Sequence, residues 1–472
     1  MEGRLRGGVE EEALRRLRPG PDEYRRVLGF AESVASMVRG ALGWAGCSVR
    51  VEGSVAKDTW LSGDVDVDVF ALFPREYCLA MASERLIEYL EGWAARHGYM
   101  VERRYASHPY LRVGRGGLWA DVVPGCIICR GERPLTPVDR TPLHTEYVRR
   151  VLREGWQRDE VRLLKAFMKA VGVYGAELEV SGFSGYLVEL LIASYGSFRG
   201  VLRVAAEEWR PPVYVAPPGT SIEEARRLRR RYPDSVMYVP DPVDPERNAA
   251  AAVSARSLAA FITAARLYLE NPIPELLDPR LEEHLEPPEP ACRVVAVVVE
   301  PPEPEPPEVL AGVAARAARQ AGAKLSSSGF TVLDTTARHW RGVGVGLIAL
   351  LEDRLPPLLP HHGPPAWSRH AARFLSKYVS SAGPRGPWIG ADGRLHVLRP
   401  PRSRDPVGLL EADESWVPGS ARRRGWRVRV IRGEKAVRVY PGLERWIHWF
   451  AAREPAWIHA ARRRLGAGAR TS

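Results

Sequence analysis

Apolar residues recur at helical spacing through Val27, Leu28, Phe30, Val34, Met37 and Val38, so residues 10–45 are predicted to be helical. Cys47 to Val51 reads as a strand that leads into Gly53-Ser54. The period then changes to two. Asp64-Val65-Asp66-Val67-Asp68-Val69-Phe70 alternates charge with bulk, which predicts a strand from Val65 to about Phe73, stopped by Pro74. A helix near Tyr77 to His97 follows, then strands at Tyr99–Tyr105, Tyr110–Val113 and Leu118–Pro124. Strands alternating with a helix around an acidic centre describe a small mixed α/β sheet. Arg158 to Val173 predicts an amphipathic helix, and Phe183 to Tyr195 a second one, apolar nearly all round and therefore buried. A basic helix over 221–231 and an Ala-rich one from about Asn248 to Leu269 complete a helical middle region.

From Arg293 the pattern changes again. Val294–Val299 is β-branched at all but one position, and an acidic Pro-rich loop spans Glu300 to Glu308. A helix over 309–322 and strands at Phe330–Thr335 and Val343–Leu351 follow. This β-α-β-β order resembles the core of an RNA-recognition fold, but the strands lack the aromatic pair that stacks bases in such modules. Residues 366–382 are predicted helical. The remainder is basic, with Arg among Trp426, Trp446, Trp449 and Trp457. That interleaving reads equally as a base-stacking surface or as a Trp core under a solvated Arg face.

The 472 residues are more than one core needs. A net charge of +11 points to a polyanionic partner. Cys47, Cys78, Cys126, Cys129 and Cys292 form an odd, sparse set that argues against a disulfide framework and for a reducing cytoplasm. Cys126-Ile-Ile-Cys129 has metal-knuckle spacing, but no second Cys or His pair lies near it, so it reads as buried thiols. The N-terminus lacks an apolar signal core, and no apolar run is long enough to span a bilayer. The expectation is a cytoplasmic protein.

The chemistry is concentrated in Gly53-Ser54 and the acidic alternation that follows. A Gly-Ser turn offers backbone N–H groups and a hydroxyl to phosphate. Carboxylates two residues apart on a strand lie roughly 6–7 Å from each other and repel by about 2–3 kcal/mol at an effective dielectric near 20. Divalent cations shared with phosphate oxygens relieve that repulsion. By spacing alone the pair is either Asp64 with Asp66 or Asp66 with Asp68. Asp121, set among apolar residues in Ala-Asp-Val-Val-Pro, supplies a third carboxylate.

Gly-Ser, a spacer, then Asp-hydrophobic-Asp resembles the nucleotidyltransferase superfamily of DNA polymerase beta. Five stretches narrow the resemblance to archaeal class I CCA-adding enzymes, the tRNA nucleotidyltransferases. They are Gly53-Ser-Val-Ala-Lys-Asp-Thr-Trp60 with Asp66-Val-Asp68-Val-Phe70; Ala120-Asp-Val-Val-Pro124; Val138-Asp-Arg-Thr-Pro-Leu-His144; Glu160-Val-Arg-Leu-Leu-Lys165 with Gly172-Val-Tyr174-Gly and Gly182-Phe-Ser-Gly-Tyr186; and Asp241-Pro-Val-Asp-Pro-Glu-Arg-Asn248. The resemblance implies a multidomain α+β chain. Its parts would be a polymerase beta-like nucleotidyltransferase palm over 1–150, a helical central domain over 151–270, an RRM-like β-α-β-β body over 271–365 and a basic tRNA-binding tail over 366–472.

It further implies that Asp66, Asp68 and Asp121 are catalytic and hold two Mg2+ ions. Ser54 and Lys57 would meet phosphate, His144, Lys165 and Tyr174 the triphosphate and sugar, and Arg247 the incoming base. The implied activity is template-independent addition of CCA to the 3′ end of tRNA from CTP and ATP, by a protein that is commonly a homodimer. A poly(A) polymerase, an oligoadenylate synthetase, or a non-catalytic RNA-binding protein on the same scaffold are the alternatives.

Overall fold

Pro19 and Pro21 lack the N–H that a continuous helix needs, so two helices rather than one open the chain: α1 (Gly8–Leu17) and α2 (Pro21–Leu42). A computed structural model describes residues 8–76, 78, 84–105, 109–129 and 132–468. They divide into one unit of Met1–Glu286 with Ala456–Ser472 and another of Pro287–Pro455.

In the first unit, β1 (Ser48–Glu52) runs into the one-turn helix α3 (Gly53–Lys57), and β2 (Val67–Phe73) follows. The acidic alternation therefore enters the ladder later than its period predicts. Asp64 sits in a turn, with its N–H bonded to the Leu61 carbonyl, and Asp66 precedes the strand. Then come α4 (Glu84–Arg96), β3 (Met100–Tyr105), β4 (Pro109–Arg115) and β5 (Leu118–Cys126). The helix predicted from Tyr77 matches α4 in its second half; residues 77 and 79–83 lie outside the described residues. The sheet has order β1-β2-β5-β4-β3, with β2 and β5 parallel and the other neighbours antiparallel. Helix α2 supplies Val27, Val34 and Val38, and α4 supplies Ile87 and Leu90, to a core shared with Val69, Ala71 and Phe73 of β2.

One expectation fails here. Cys78 and Cys126 are joined as a disulfide, with Cα atoms 5.4 Å apart, and Cys129 is exposed rather than buried. Cys126 ends β5 opposite Phe73 at the end of β2, and Cys78 follows β2 closely. The strand pairing thus brings together thiols that are remote in sequence, which spacing between near neighbours does not register.

The helical region holds α5 (Thr141–Val151), α6 (Gly155–Val171), α7 (Gly185–Tyr195), α8 (Phe198–Glu207), α9 (Ile222–Leu228) and α10 (Ala255–Glu270). A capping box of Glu154 and Gln157 opens α6, and Gly172 in the left-handed region closes it. Phe167 of α6 packs at 5.6 Å from Phe198 of α8 and at 5.9 Å from Phe261 of α10. Two short pairs of strands interrupt the helices: β6 (Val213–Tyr214) with β7 (Met237–Tyr238), and β8 (Pro240–Asp241) with β9 (Asp244–Asn248). The helix predicted from Asn248 thus begins only at Ala255.

The second unit realises the predicted β-α-β-β run as β10 (Arg293–Glu300), α11 (Pro307–Ser327), β11 (Val332–Trp340) and β12 (Val343–Leu350). A later strand, β13 (Arg427–Arg432), completes an antiparallel sheet of order β11-β12-β10-β13. Within this unit Trp426 and Trp449 are buried, and Trp446 is partly buried beneath the Arg338 guanidinium at 4.1 Å. Trp457 is buried in the first unit. The Trp-rich segment is therefore core rather than a row of free stacking platforms.

Gly53 shows how tightly the sheet grips the turn. Its φ is +68°, and a Cβ there would lie 1.9 Å from Asp68 Oδ2. Gly53→Ala is expected to destabilise the fold by about 1–2 kcal/mol from backbone strain alone. It should also lower turnover by about 10²-fold or more by displacing Asp68. Urea melts and steady-state rates check both effects, and a variant with parent rates would show that Asp68 is not held by this contact.

Candidate active site

The β2–β5 register sets Asp68 directly beside Asp121. Adjacent strands are about 4.8 Å apart, and two carboxylates at roughly 5 Å repel by about 3 kcal/mol at an effective dielectric near 20. Burial first, and then the charges of Asp121 and Asp66, push the Asp68 carboxyl up to about 7. Burial also raises Asp121, against the pull of Arg112. Arg112 lies next to Asp121 on β4, with its guanidinium 3.9 Å from Asp121 and 3.6 Å from the exposed Asp66. Asp121 Oδ1 is buried and accepts no hydrogen bond.

Asp66, Asp68, Asp121, Ser54, Lys57, Lys165 and Tyr174 line one cavity of 340 Å³. Asp64 lies elsewhere. Its carboxylate meets Lys169 at 2.5 Å and borders a different cavity. The carboxylate pair at the Asp121 cavity is thus Asp66 with Asp68. The donors are all hard oxygens, and one is buried without a hydrogen bond, which suits a hard divalent cation. Among the described residues no group of three or more His, Cys, Asp or Glu side chains is already arranged to hold a metal ion. The three aspartates instead line an open cleft.

Helix α6 contributes Lys165 to the same cavity. Asp159, Arg162, Lys165 and Lys169 recur at intervals of three or four and share a face. Arg162 Nε donates to the Trp60 carbonyl at 3.0 Å, and its Nη2 donates to the Asp58 carbonyl at 2.8 Å. Asp58 ends α3 at φ +55°; its carboxylate accepts hydrogen bonds from Tyr24 and Arg162 and is ion-paired with Arg158. Lys165 is buried, and its ammonium donates to the Thr59 carbonyl at 2.9 Å. Burial depresses it to about 8, against the opposing charge of Glu189. Tyr174 lies against Gly185, where a Cβ would come within 2.8 Å of its hydroxyl, and burial raises the phenol.

His144 and Arg247 do not line the cavity; both converge on Asp241. His144 Nε2 meets Asp241 Oδ2 at 2.7 Å, and Arg247 Nη1 meets the same oxygen at 2.9 Å. The Tyr186 hydroxyl and the Val243 N–H donate to Oδ1. Burial alone would raise this carboxyl; the His144 bond and the charges of His144 and Arg247 hold it down to about 2. Tyr186 borders the cavity and stacks on His144 at 3.9 Å, which links the two clusters. Glu246, an obvious sequence partner for Arg247, pairs instead with Arg231 at 3.0 Å. Asn248 ends β9, and its side-chain oxygen accepts from the Val239 and Ala250 N–H groups.

Sequence reasoning missed Glu189, Arg112 and Arg162. Glu189 alone carried a signal, as the one charge in the apolar Tyr186–Tyr195 run.

A family model described as "tRNA nucleotidyltransferase, second domain" matches residues 159–277. The CCA-adding enzyme of Sulfurisphaera tokodaii is 34% identical over 460 residues, covering 95% of this chain and 99% of the relative. That of Pyrobaculum neutrophilum is 38% identical, with 79% and 85% covered, and that of Methanothermobacter thermautotrophicus is 36% identical, with 84% and 86% covered. Among solved structures, the Cid1 poly(U) polymerase bound to MgGTP superposes with a TM-score of 0.45 at 14% identity, covering 57% of this chain and 97% of that one. With identity above 30% sustained along nearly the whole length of a relative, the chain belongs to the family of CCA-adding enzymes, the tRNA nucleotidyltransferases.

Proposed function

We propose that the chain adds and repairs the 3′-terminal CCA of tRNA with the residues of the cavity described above. The observation that carries this assignment is the meeting of three aspartates and two ammonium groups at one 340 Å³ cleft. Such a set suits a nucleoside triphosphate and a hydroxyl that attacks it. Asp66, Asp68 and Asp121 would hold two Mg2+ ions, which when bound lower the pKa of the attacking hydroxyl and screen charge on the phosphates. Asp121, half-buried beside Asp68, orients the tRNA 3′-hydroxyl toward the α-phosphate of CTP or ATP. Ser54 and the N-terminal turn of α3 meet phosphate oxygens. Lys57 and Lys165 neutralise the β- and γ-phosphates and so favour pyrophosphate as leaving group. Tyr174 borders the sugar and triphosphate, and His144 acts from behind the cavity by fixing Asp241 and stacking on Tyr186. Arg247, fixed at one end by Asp241, presents its remaining donors to the base. The palm of residues 1–150 supplies the carboxylates in this scheme, and the helical segment 151–270 supplies Lys165, Tyr174 and Arg247.

Incubation with tRNA lacking CCA, Mg2+ and CTP plus ATP should add three nucleotides and then stop. A long A tail, or no addition, overturns the assignment. The Asp66→Ala, Asp68→Ala double variant should bind tRNA and add nothing.

Asp68→Asn removes a buried like charge. In chelator it should unfold at the parent temperature or a few degrees above it, for a gain of about 1 kcal/mol, while turnover falls on the order of 10³-fold. A marked drop in melting temperature would show that the carboxylate serves the fold.

Arg247→Ala should erode the preference for C and A over U and G by about 1–3 kcal/mol. Unchanged selectivity in single-nucleotide addition removes Arg247 from base reading.

A further inference from the structure

Glu189 is a carboxylate that the scheme above does not use. It lies on α7, which is otherwise apolar and buried, and it is 1% exposed. Both of its oxygens are engaged inside the cleft. Oε2 accepts from the Lys57 ammonium at 2.6 Å, and Oε1 accepts from the Thr59 hydroxyl at 2.8 Å. The same hydroxyl lies 3.3 Å from the Lys165 ammonium, which also donates to the Thr59 carbonyl. One buried carboxylate therefore faces two buried ammonium groups, one directly and one across a single hydroxyl. An isolated buried ammonium loses its proton readily, and two of them side by side lose one more readily still.

We propose that Glu189 is the positioning residue of the phosphate cradle: its carboxylate fixes the Lys57 ammonium and the Thr59 loop, and keeps Lys165 protonated while no triphosphate is bound. This inference rests on the reading of Lys57 and Lys165 as phosphate ligands. The charges that bear on Lys165 come from each element packed around it. Lys57 of α3, and Arg162 and Lys169 of its own helix, oppose its protonation, and Glu189 of α7 favours it. Tyr174 is neutral in the working pH range because burial raises its phenol. Among these charges Glu189 is the one that supports the ammonium. It also sets the resting geometry: the Lys57 ammonium is already extended and aimed when the nucleotide arrives, so less side-chain freedom is lost on binding.

The test is the pH dependence of kcat/KM for CTP on tRNA lacking CCA, which reports groups of the free enzyme. Glu189→Gln keeps an oxygen for the Thr59 hydroxyl and removes only the charge. Its alkaline limb should fall by about one pH unit or more, so that the ratio of parent to variant kcat/KM grows as pH rises. Thr59→Val removes the hydroxyl and leaves the charge, and should leave the limb in place. Lys165→Met provides the reference. If it leaves the CTP KM unchanged, the phosphate-ligand reading itself fails. If Lys165→Met raises KM and Glu189→Gln keeps the parent limb, the positioning role alone is overturned. A Glu189→Gln protein without a cooperative melt also overturns it, since the carboxylate would then be part of the scaffold.

Discussion

The parallel pairing of β2 with β5 is the constraint on which the rest of the site depends. That register places Asp68 beside Asp121, where two carboxylates oppose each other in a partly buried setting. Nothing in the local sequence of either strand relieves this repulsion. It is tolerated because the remainder of the sheet is held strongly, with β2 buried at every position except Asp68 and packed between the strands on either side. Arg112 offsets part of the charge from the next strand. The fold thus supports an unfavourable local arrangement, which in the proposed reading cations and phosphate would relieve, the usual relation between stability and function at an active site.

A second layer of organisation comes from a single face of α6. Through Arg162 it fixes the Asp58 and Trp60 carbonyls, and through Lys165 the Thr59 carbonyl. The loop after α3 therefore has three successive carbonyls held by side chains from one helix. A loop so tied does not need to be ordered by substrate. Because the helix is buried along most of its length and packed through Phe167, its side chains are set by the core rather than by the loop they hold. The geometry of this loop is thereby inherited from hydrophobic packing.

Much of this was legible from the chain itself. The change of period from 3.6 to 2 marked the acidic strand, and the apolar setting of Asp121 marked a partner for it. What periodicity misjudged was the strand's start. The bond from the Asp64 N–H to Leu61 makes a turn, and a turn followed by a strand can have the same two-residue alternation as a longer strand. Long-range pairing was invisible for a different reason. The Cys78–Cys126 bond, the Glu189–Lys57 pair and the Asp64–Lys169 pair each join residues that only the tertiary fold brings close. Trp426 and Trp449 were ambiguous because an Arg-Trp pattern is the same whether the rings face inward or outward; burial decides it.

In the proposed reading, the Asp241 cluster would give selectivity without a template. Arg247 has one guanidinium nitrogen bound to Asp241 and is still a third exposed. A guanidinium anchored at one edge is planar and fixed, so its free edge presents donors in one direction only. Cytosine and adenine both carry an amino donor next to a ring-nitrogen acceptor, whereas uracil and guanine carry an N–H at the corresponding ring position. A fixed donor meets an acceptor in the first pair and another donor in the second. Discrimination then comes from leaving a donor unpaired with the wrong base, which is a larger penalty than a hydrogen bond is a gain. The anchor matters as much as the reader: if Arg247 were free to swing, it would turn away from the wrong base and the penalty would vanish.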